Sequence, residues 1–509
     1  MKTFISILFS IVSCTIGFAQ TQDLLKLAQG EFLGMNALFD EKGSLFGYIS
    51  IYDYGKSGEK TKKFEYVLLD KNLNPVANKT FDGDITAGNY VGYINFDGKI
   101  VLRPNRLDNT LIRRDAVYTP SSMVIDLKEN SIGKKVYYEF DHGTFTEVLE
   151  HDTWKESKKE YKLEKKEKGY NYEASVVEIK EGGFLVLEYD DYGSYKTNNR
   201  LMRYSEEKKE LWHYEYNKEG TRSQWETFYL LEKDSLHLYC LFLEHTRKYD
   251  KHYMLVLDIN TGKEIHKKEI PDPHKVLQRI TSYPTFSYGT LDNDQTFDDK
   301  IVIVGRKVGY QTYDGISRLV IDRKTFATDL KVLTFKNDFK PFIPKINAGG
   351  YVEKGYYLDT RDIFFMKDGS VGLLYEKYKA AGEYNAQKTT DMVYVYTDKN
   401  FKIQGAKVLE KEKSKWQNSD YLFSQNLNNG NDLVFFYRDF QKDDETKDRN
   451  WNLFINTLID GQFRQETIPI SSKENYLIFP YIAREGYILL QEFNKKAKYN
   501  QIRLERLNY

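Results

Sequence analysis

Cysteine is nearly absent: the 509 residues hold two, Cys14 and Cys240. Cys14 falls in an export-like leader, so the remaining chain has no partner for an intrachain disulfide. Stability must come from burial, which a chain of this length can supply. Net charge is absent too, with 75 Lys and Arg against 75 Asp and Glu. That balance removes the basic footprint of a nucleic-acid binder and the polybasic face of an electrostatic membrane binder. There is no HExxH, no Cys/His zinc spacing, no G-x-S-x-G elbow, no P-loop and no G-x-G-x-x-G. No cofactor is expected. Outside the leader no apolar run is long enough to cross a bilayer as a helix.

The leader, residues 1–19, has Lys2 as its positive end, Phe4 to Val12 as its apolar core and Gly17-Phe18-Ala19 as a small-x-small cleavage pattern. The expectation is export, to periplasm, cell surface or medium, with cleavage after Ala19. The signal resembles those of Gram-negative secreted proteins. Ile11-Val12-Ser13-Cys14 loosely fits a lipoprotein box, which leaves lipid anchoring at Cys14 as the alternative. Cys240, within LHLYCLFL, is then the sole mature cysteine and reads as a small, inert core residue.

What is present is repetition. Two apolar runs flanking a short Gly/Asp/Asn turn recur about eight times, with turns near Lys42, Asp97, Gly182, Asp234, Asp298, Asp368, Gly430 and Gly486. Each unit extends to four strands. In one unit they are Tyr172 to Ile179, Phe184 to Tyr189, Leu201 to Tyr204 and Leu211 to Tyr216. Here the four are called A to D. Asp70, Asp126, Asp258, Asp322 and Asp398 end C strands, where an aspartate caps its turn by accepting downstream N–H groups. B and C strands read as near-continuous apolar runs, which means burial on both faces. The 41 tyrosines suit strands that are apolar along the body and wet at the tip.

Stacked four-stranded units buried on both faces resemble a β-propeller, over nearly the whole mature chain, 20–509, as one domain. The resemblance rests on strand spacing; no WD, kelch or sialidase blade motif is present. The chain also resembles uncharacterised secreted bacterial propeller-like proteins. The fold expected is all-β with eight four-stranded blades, seven being the alternative. The last unit lacks a D strand, and a spare apolar segment at Leu24 to Leu27 is expected to complete it. A charged insertion lies near 141–170, with the Lys/Glu-rich stretch Trp154 to Gly169 read as a solvated helix or a mobile loop.

Long segments gather in the B–C and D–A connections, which share one face of a propeller. The D–A insertions are Asp141 to Gly169, Pro271 to Pro284 and Lys336 to Asp359. Loops gathered on one face point to a binding face. Its aromatic candidates for ligand contact are Tyr192, Tyr195, Tyr249, Tyr310, Tyr313 and Tyr384; the plainer reading is that each packs its own loop. Acids at B-strand ends give candidate catalytic carboxylates Asp190, Asp191, Glu376 and Asp439, because a glycosidase needs two carboxylates, one with a raised pKa. Asp292, Asp294 and Asp298 alternate as calcium-loop ligands do, but without the glycine and terminal glutamate of an EF-hand; an enlarged A–B turn explains them more simply, and no metal is expected. Two functions follow as expectations: an exported, monomeric, non-catalytic module binding a protein or glycan, or a glycan hydrolase or lyase with its carboxylates at the channel mouth.

Overall fold

The computed structural model describes residues 21–508, apart from 41–43, 95–98, 106–121, 135–136, 142–143, most of 149–171, 180–181, 191–198, 219, 222, 247–249, 272–290, 297–298, 309–312, 354, 383–385, 416–418, 443–448 and 473–475. Among the described residues the strands form seven four-stranded sheets, one five-stranded sheet and a separate two-stranded hairpin, all antiparallel. In chain order the large sheets span 31–84, 89–134, 172–216, 224–270, 291–334, 357–415, 421–469 and 477–506; they are called sheets one to eight. The eighth takes its outer strand, Thr21–Asp23, from the other end of the chain. Within each of the first seven, the four main strands neighbour one another in chain order, the meander expected of short turns; the fifth strand of sheet six, Ser414–Lys415, pairs with Lys388–Thr397. Sheet three has its strands at Tyr172–Glu178, Phe184–Asp190, Asn199–Tyr204 and Glu210–Tyr216, within two residues of the sequence reading.

The turns carry the chemistry that the sequence pattern implies. Asp70, Asp126, Asp258, Asp322 and Asp398 each accept from two downstream backbone N–H groups, at 2.7–3.1 Å. Four of them, Asp70, Asp126, Asp258 and Asp322, are held below the ordinary carboxylate range. Gly182, Gly369, Gly430 and Gly486 take positive φ in the A–B turns, where a side chain would be strained.

Alternate residues of one strand enter different cores, which is why its sequence is apolar throughout. Along His237–Thr246, Leu238, Cys240 and Phe242 pack toward sheet three, while Tyr239, Leu241 and Leu243 pack toward sheet five. Burial pushes the Cys240 thiol well up, so it is an inert packing group. The same logic runs through the molecule. Separate cores join sheets one and two, three and four, four and five, five and six, six and seven, and seven and eight. A further core joins eight to one through Leu489, Ile502 and Leu504 against Tyr48, Val67 and Leu69. Four-stranded antiparallel sheets packed face to face in this way are a β-propeller architecture.

One sequence expectation needs correction, and two insertions can be placed. The strand from the N-terminal segment is Thr21–Asp23, paired Thr21↔Arg503 and Asp23↔Gln501, just before Leu24 to Leu27. Leu24 itself is fully buried and its carbonyl accepts Tyr52 Oη at 2.8 Å, so the spare segment is an anchor beside a strand. The insertion near 141–170 begins as structure: Tyr137–Asp141 and Thr144–Val148 form a hairpin, and Phe140 and Phe145 pack on Tyr204 at 5.5 and 5.1 Å. The stretch Trp154 to Gly169 lies almost entirely outside the described residues. The insertion 336–359 is partly core. The π-helical turn Phe335–Phe339 buries Phe335 and Phe339, and Ile343 and Ile346 beyond it join the same core between sheets five and six.

Sheets four and five are also tied by Asp234, whose carboxylate receives Arg323 Nη2 at 2.6 Å, Tyr239 Oη at 2.9 Å and the N–H groups of Leu236 and His237 at 2.8 Å. Burial alone would raise this carboxyl; the N–H, guanidinium and phenol donors overcome it and pull it down to about 2. A depressed carboxyl stabilises the fold above its unfolded pKa of about 3.9 and loses that contribution as pH falls toward the folded value. Asp234→Asn should therefore cost on the order of 1 kcal/mol at neutral pH, the linkage value reduced by solvent screening of a partly exposed group. Urea melts across pH should show this difference shrinking between pH 4 and pH 2, by about that amount. A pH-independent difference would mean that Asp234 acts through packing alone.

Candidate functional site

Several sequence-predicted residues, Asp191, Tyr192, Tyr195, Tyr249, Asp298, Tyr310 and Tyr384, lie outside the described residues. Asp190 ends the second strand of sheet three, opposite Tyr172. Tyr313 opens the strand Tyr313–Asp322, opposite Val308. Asp292 and Asp294 belong to the strand Leu291–Thr296, where Asp294 pairs with Ile303. Asp292 and Asp294 therefore stand in a ladder strand. The described loop-face aromatics pack locally. Tyr54 Oη bonds the Glu65 carboxylate, Tyr378 stacks edge-on with Tyr357 at 5.4 Å, and Trp451 lies 5.2 Å from Phe440.

Glu376 and Asp439 are the candidate carboxylates with described side chains, and the structure brings them into one buried charge cluster at the loop end of sheets six and seven. Glu376 sits in Val371–Lys379 and is 0% exposed. Its Oε2 accepts Arg361 Nε at 2.8 Å, and its Oε1 accepts the Asp420 N–H at 3.2 Å and lies 3.6 Å from Lys411 Nζ. Lys411, whose side chain is fully enclosed, reaches Asp420 Oδ2 at 2.5 Å; Thr389 Oγ1 donates to the same oxygen at 3.1 Å. Asp420 Oδ1 has no hydrogen-bond partner, with Arg438 Nε at 3.5 Å. Arg361 also reaches Asp359 at 2.9 Å. Asp439 is 7% exposed and accepts the Glu412 N–H at 3.1 and 3.2 Å.

Burial pushes the Glu376 carboxyl above its ordinary range although Arg361 and Lys411 pull it down; burial likewise raises Asp439, against the N–H groups of Glu412 and Phe440. A raised carboxyl is what a glycosidase acid requires. Access is the other requirement, and Glu376 fails it: no face meets solvent, and its oxygens are occupied by cations and a backbone donor. The arrangement ties Lys411, Glu412 and Asp420 to sheets six and seven. Sequence reasoning found Glu376 and Asp439 as strand ends but missed Arg361, Lys411 and Asp420. Lys411 stands in KEKSK, which reads as a solvated run.

At the opposite, tight-turn end of the same two sheets lies an open cleft of about 620 Å³. Its walls include Lys367 and Tyr396 from sheet six and Asn431 and Phe463 from sheet seven. Among the described residues no group of three or more His, Cys, Asp or Glu is placed to hold a metal ion, and no helix is long and apolar enough to cross a membrane.

No protein-family model matches the chain, and no curated protein matches it. Among solved structures it is similar to the WD40 domain of SCAP from fission yeast, at 9% identity and TM-score 0.35, covering 96% of this chain and 94% of that one. It is similar to the beta-propeller domain of the Trilobed protease from Pyrococcus furiosus, at 10% identity and TM-score 0.30, covering 86% and 96%. It is also similar to prolyl oligopeptidase B from Galerina marginata, at 10% identity and TM-score 0.35, covering 91% of this chain and 56% of that one. At such TM-scores these likenesses carry no argument about activity, and the propeller architecture rests on the sheets and cores of the chain itself.

Proposed function

We propose that the eight large sheets are the blades of one monomeric propeller closed by Thr21–Asp23. In this reading the protein is exported, its leader removed after Ala19, and it binds a protein or glycan partner through its long-loop face without turning it over. The observation that carries the non-catalytic part is the enclosure of Glu376. A carboxylate with no exposed face, held by Arg361 and Lys411, cannot protonate a glycosidic oxygen. Closure is supported by the core joining sheet eight to sheet one and by Tyr48 Oη donating to the Ile482 carbonyl at 3.1 Å. Export is supported by the leader pattern, and cleavage after Ala19 would leave the strand Thr21–Asp23 intact.

The test uses mature protein on a glycan array and in pull-downs from envelope extract, with hydrolase and lyase assays on every glycan that binds. Binding without turnover is expected. Binding energy concentrates in few aromatics, so among Tyr192→Ala, Tyr195→Ala, Tyr313→Ala and Tyr384→Ala at least one should lose more than about 1 kcal/mol of affinity. Turnover abolished by Asp190→Asn or Glu376→Gln, with all four tyrosine variants silent, would replace this reading by a glycan-active enzyme. Intact mass of the exported protein distinguishes cleavage after Ala19 from acylation at Cys14.

A further inference from the structure

We infer that the cleft between sheets six and seven, on the tight-turn face, is a second binding site, and that it takes an anionic sugar: a pyranose ring bearing a carboxylate. This goes beyond the loop-face reading and does not depend on it.

The cleft has a built stacking platform. Tyr396, on Lys388–Thr397, pairs across the ladder with Gly405 on Ile403–Leu409. A Cβ at Gly405 would come within 2.4–2.7 Å of Tyr396 Oη, Cζ and Cε1, so the phenol ring lies flat on the glycine backbone. One ring face is thereby covered, and the residue keeps 44% of its surface exposed. Its ring is held in that plane by a stack: Tyr394 lies 6.3 Å away at 22°, and Phe435 lies 6.0 Å beyond Tyr394 at 29°. A flat, fixed, half-covered tyrosine presents an apolar surface suited to the C–H face of a sugar ring.

The polar groups around that platform select charge. Lys367 and Lys407 line the cleft, and among the described residues neither has a carboxylate within 4.0 Å. Lys407 Nζ stands 3.6 Å from the centre of the Phe463 ring, which holds its ammonium beside that wall of the cleft. The Lys367 backbone is tied to sheet seven, its main-chain N–H bonding the Gly430 carbonyl at 2.9 Å. The cleft's one acid, Asp368, is engaged in its own turn, with Oδ1 accepting Ser370 N–H at 2.8 Å and Ser370 Oγ at 2.6 Å. Two ammonium groups against one engaged carboxylate leave a positive cleft, complementary to an anion. Its 620 Å³ lies within the range of about 300–1,000 Å³ typical of small-ligand clefts.

Affinity electrophoresis of the full mature protein in gels containing polygalacturonate, amylose or poly-L-glutamate tests this. Retardation by polygalacturonate is expected, weakening as sodium chloride rises, with none by amylose and none by poly-L-glutamate. Tyr396→Ala and Lys407→Ala should each raise the apparent Kd at least about fivefold, the size of a modest hot-spot loss. Tyr396→Phe keeps the ring over Gly405 and should bind as the parent does, which separates loss of the platform from loss of folding. Tyr313→Ala, on the loop face, should also bind as the parent does. No retardation by polygalacturonate, equal retardation by amylose or poly-L-glutamate, or parental binding by Lys407→Ala would each overturn the inference.

Discussion

Lys411→Met is expected to cost about 3–5 kcal/mol of folding stability, because it leaves buried carboxylates without their shared cation. Lys411 stands between Asp420, at 2.5 Å, and Glu376, at 3.6 Å, and neither acid has an exposed face to recover solvation. The companion variant Lys411→Met/Asp420→Asn should regain part of the loss, since it removes one stranded charge together with its partner. Urea denaturation of the parent, single and double variants measures both. A single variant within about 0.5 kcal/mol of the parent, the range of an ordinary surface substitution, would mean that the cluster is not the clamp its geometry describes.

Leu24→Ala should cost about 2–5 kcal/mol, the range for truncating a fully buried leucine. The loss is felt between the two ends of the chain. Leu24 packs in the core shared by sheets eight and one, its N–H bonds the Asn500 carbonyl at 2.9 Å, and its carbonyl receives Tyr52 Oη. Deleting 20–24 should cost more. It also strips the outer strand from Tyr499–Arg506 and exposes an edge of unpaired backbone groups that invites association. Thermal melts and light scattering of the two variants check this, and an unchanged, monodisperse deletion variant would contradict it.

The sheets were legible in the sequence because their signals are local. Turn acids such as Asp258 bond their own next few residues, and strands such as LHLYCLFL announce burial on both faces by lacking polar alternation. What was not legible is what distant segments assemble. Arg361, Glu376, Lys411 and Asp420 form one cluster, yet each is an ordinary charge in its own stretch. Lysine in KEKSK gives no sign that its ammonium is enclosed. Tyr396 and Gly405 likewise form a platform only once the hairpin register is set, because a one-residue slip would turn the ring to the other face of the sheet. The insertion 336–359 misled for the opposite reason. Its prolines and glycines read as loop, while Phe335 and Phe339 on a short π-helical turn, and Ile343 and Ile346 after it, pack into one core.

Closure of the ring between the chain's two ends is tested most directly by a disulfide placed in the observed register. Thr21 and Arg503 are direct cross-strand partners. Antiparallel partners have Cα atoms about 4.5–5.5 Å apart, inside the range that a disulfide spans. Thr21→Cys/Arg503→Cys, made with Cys240→Ser, should oxidise spontaneously in the folded protein, run faster on a non-reducing gel and melt higher than its reduced form. The out-of-register pair Asp23→Cys/Glu505→Cys should stay reduced. Free thiols in the first pair under native conditions, or equal oxidation of both pairs, would contradict closure by the N-terminal strand.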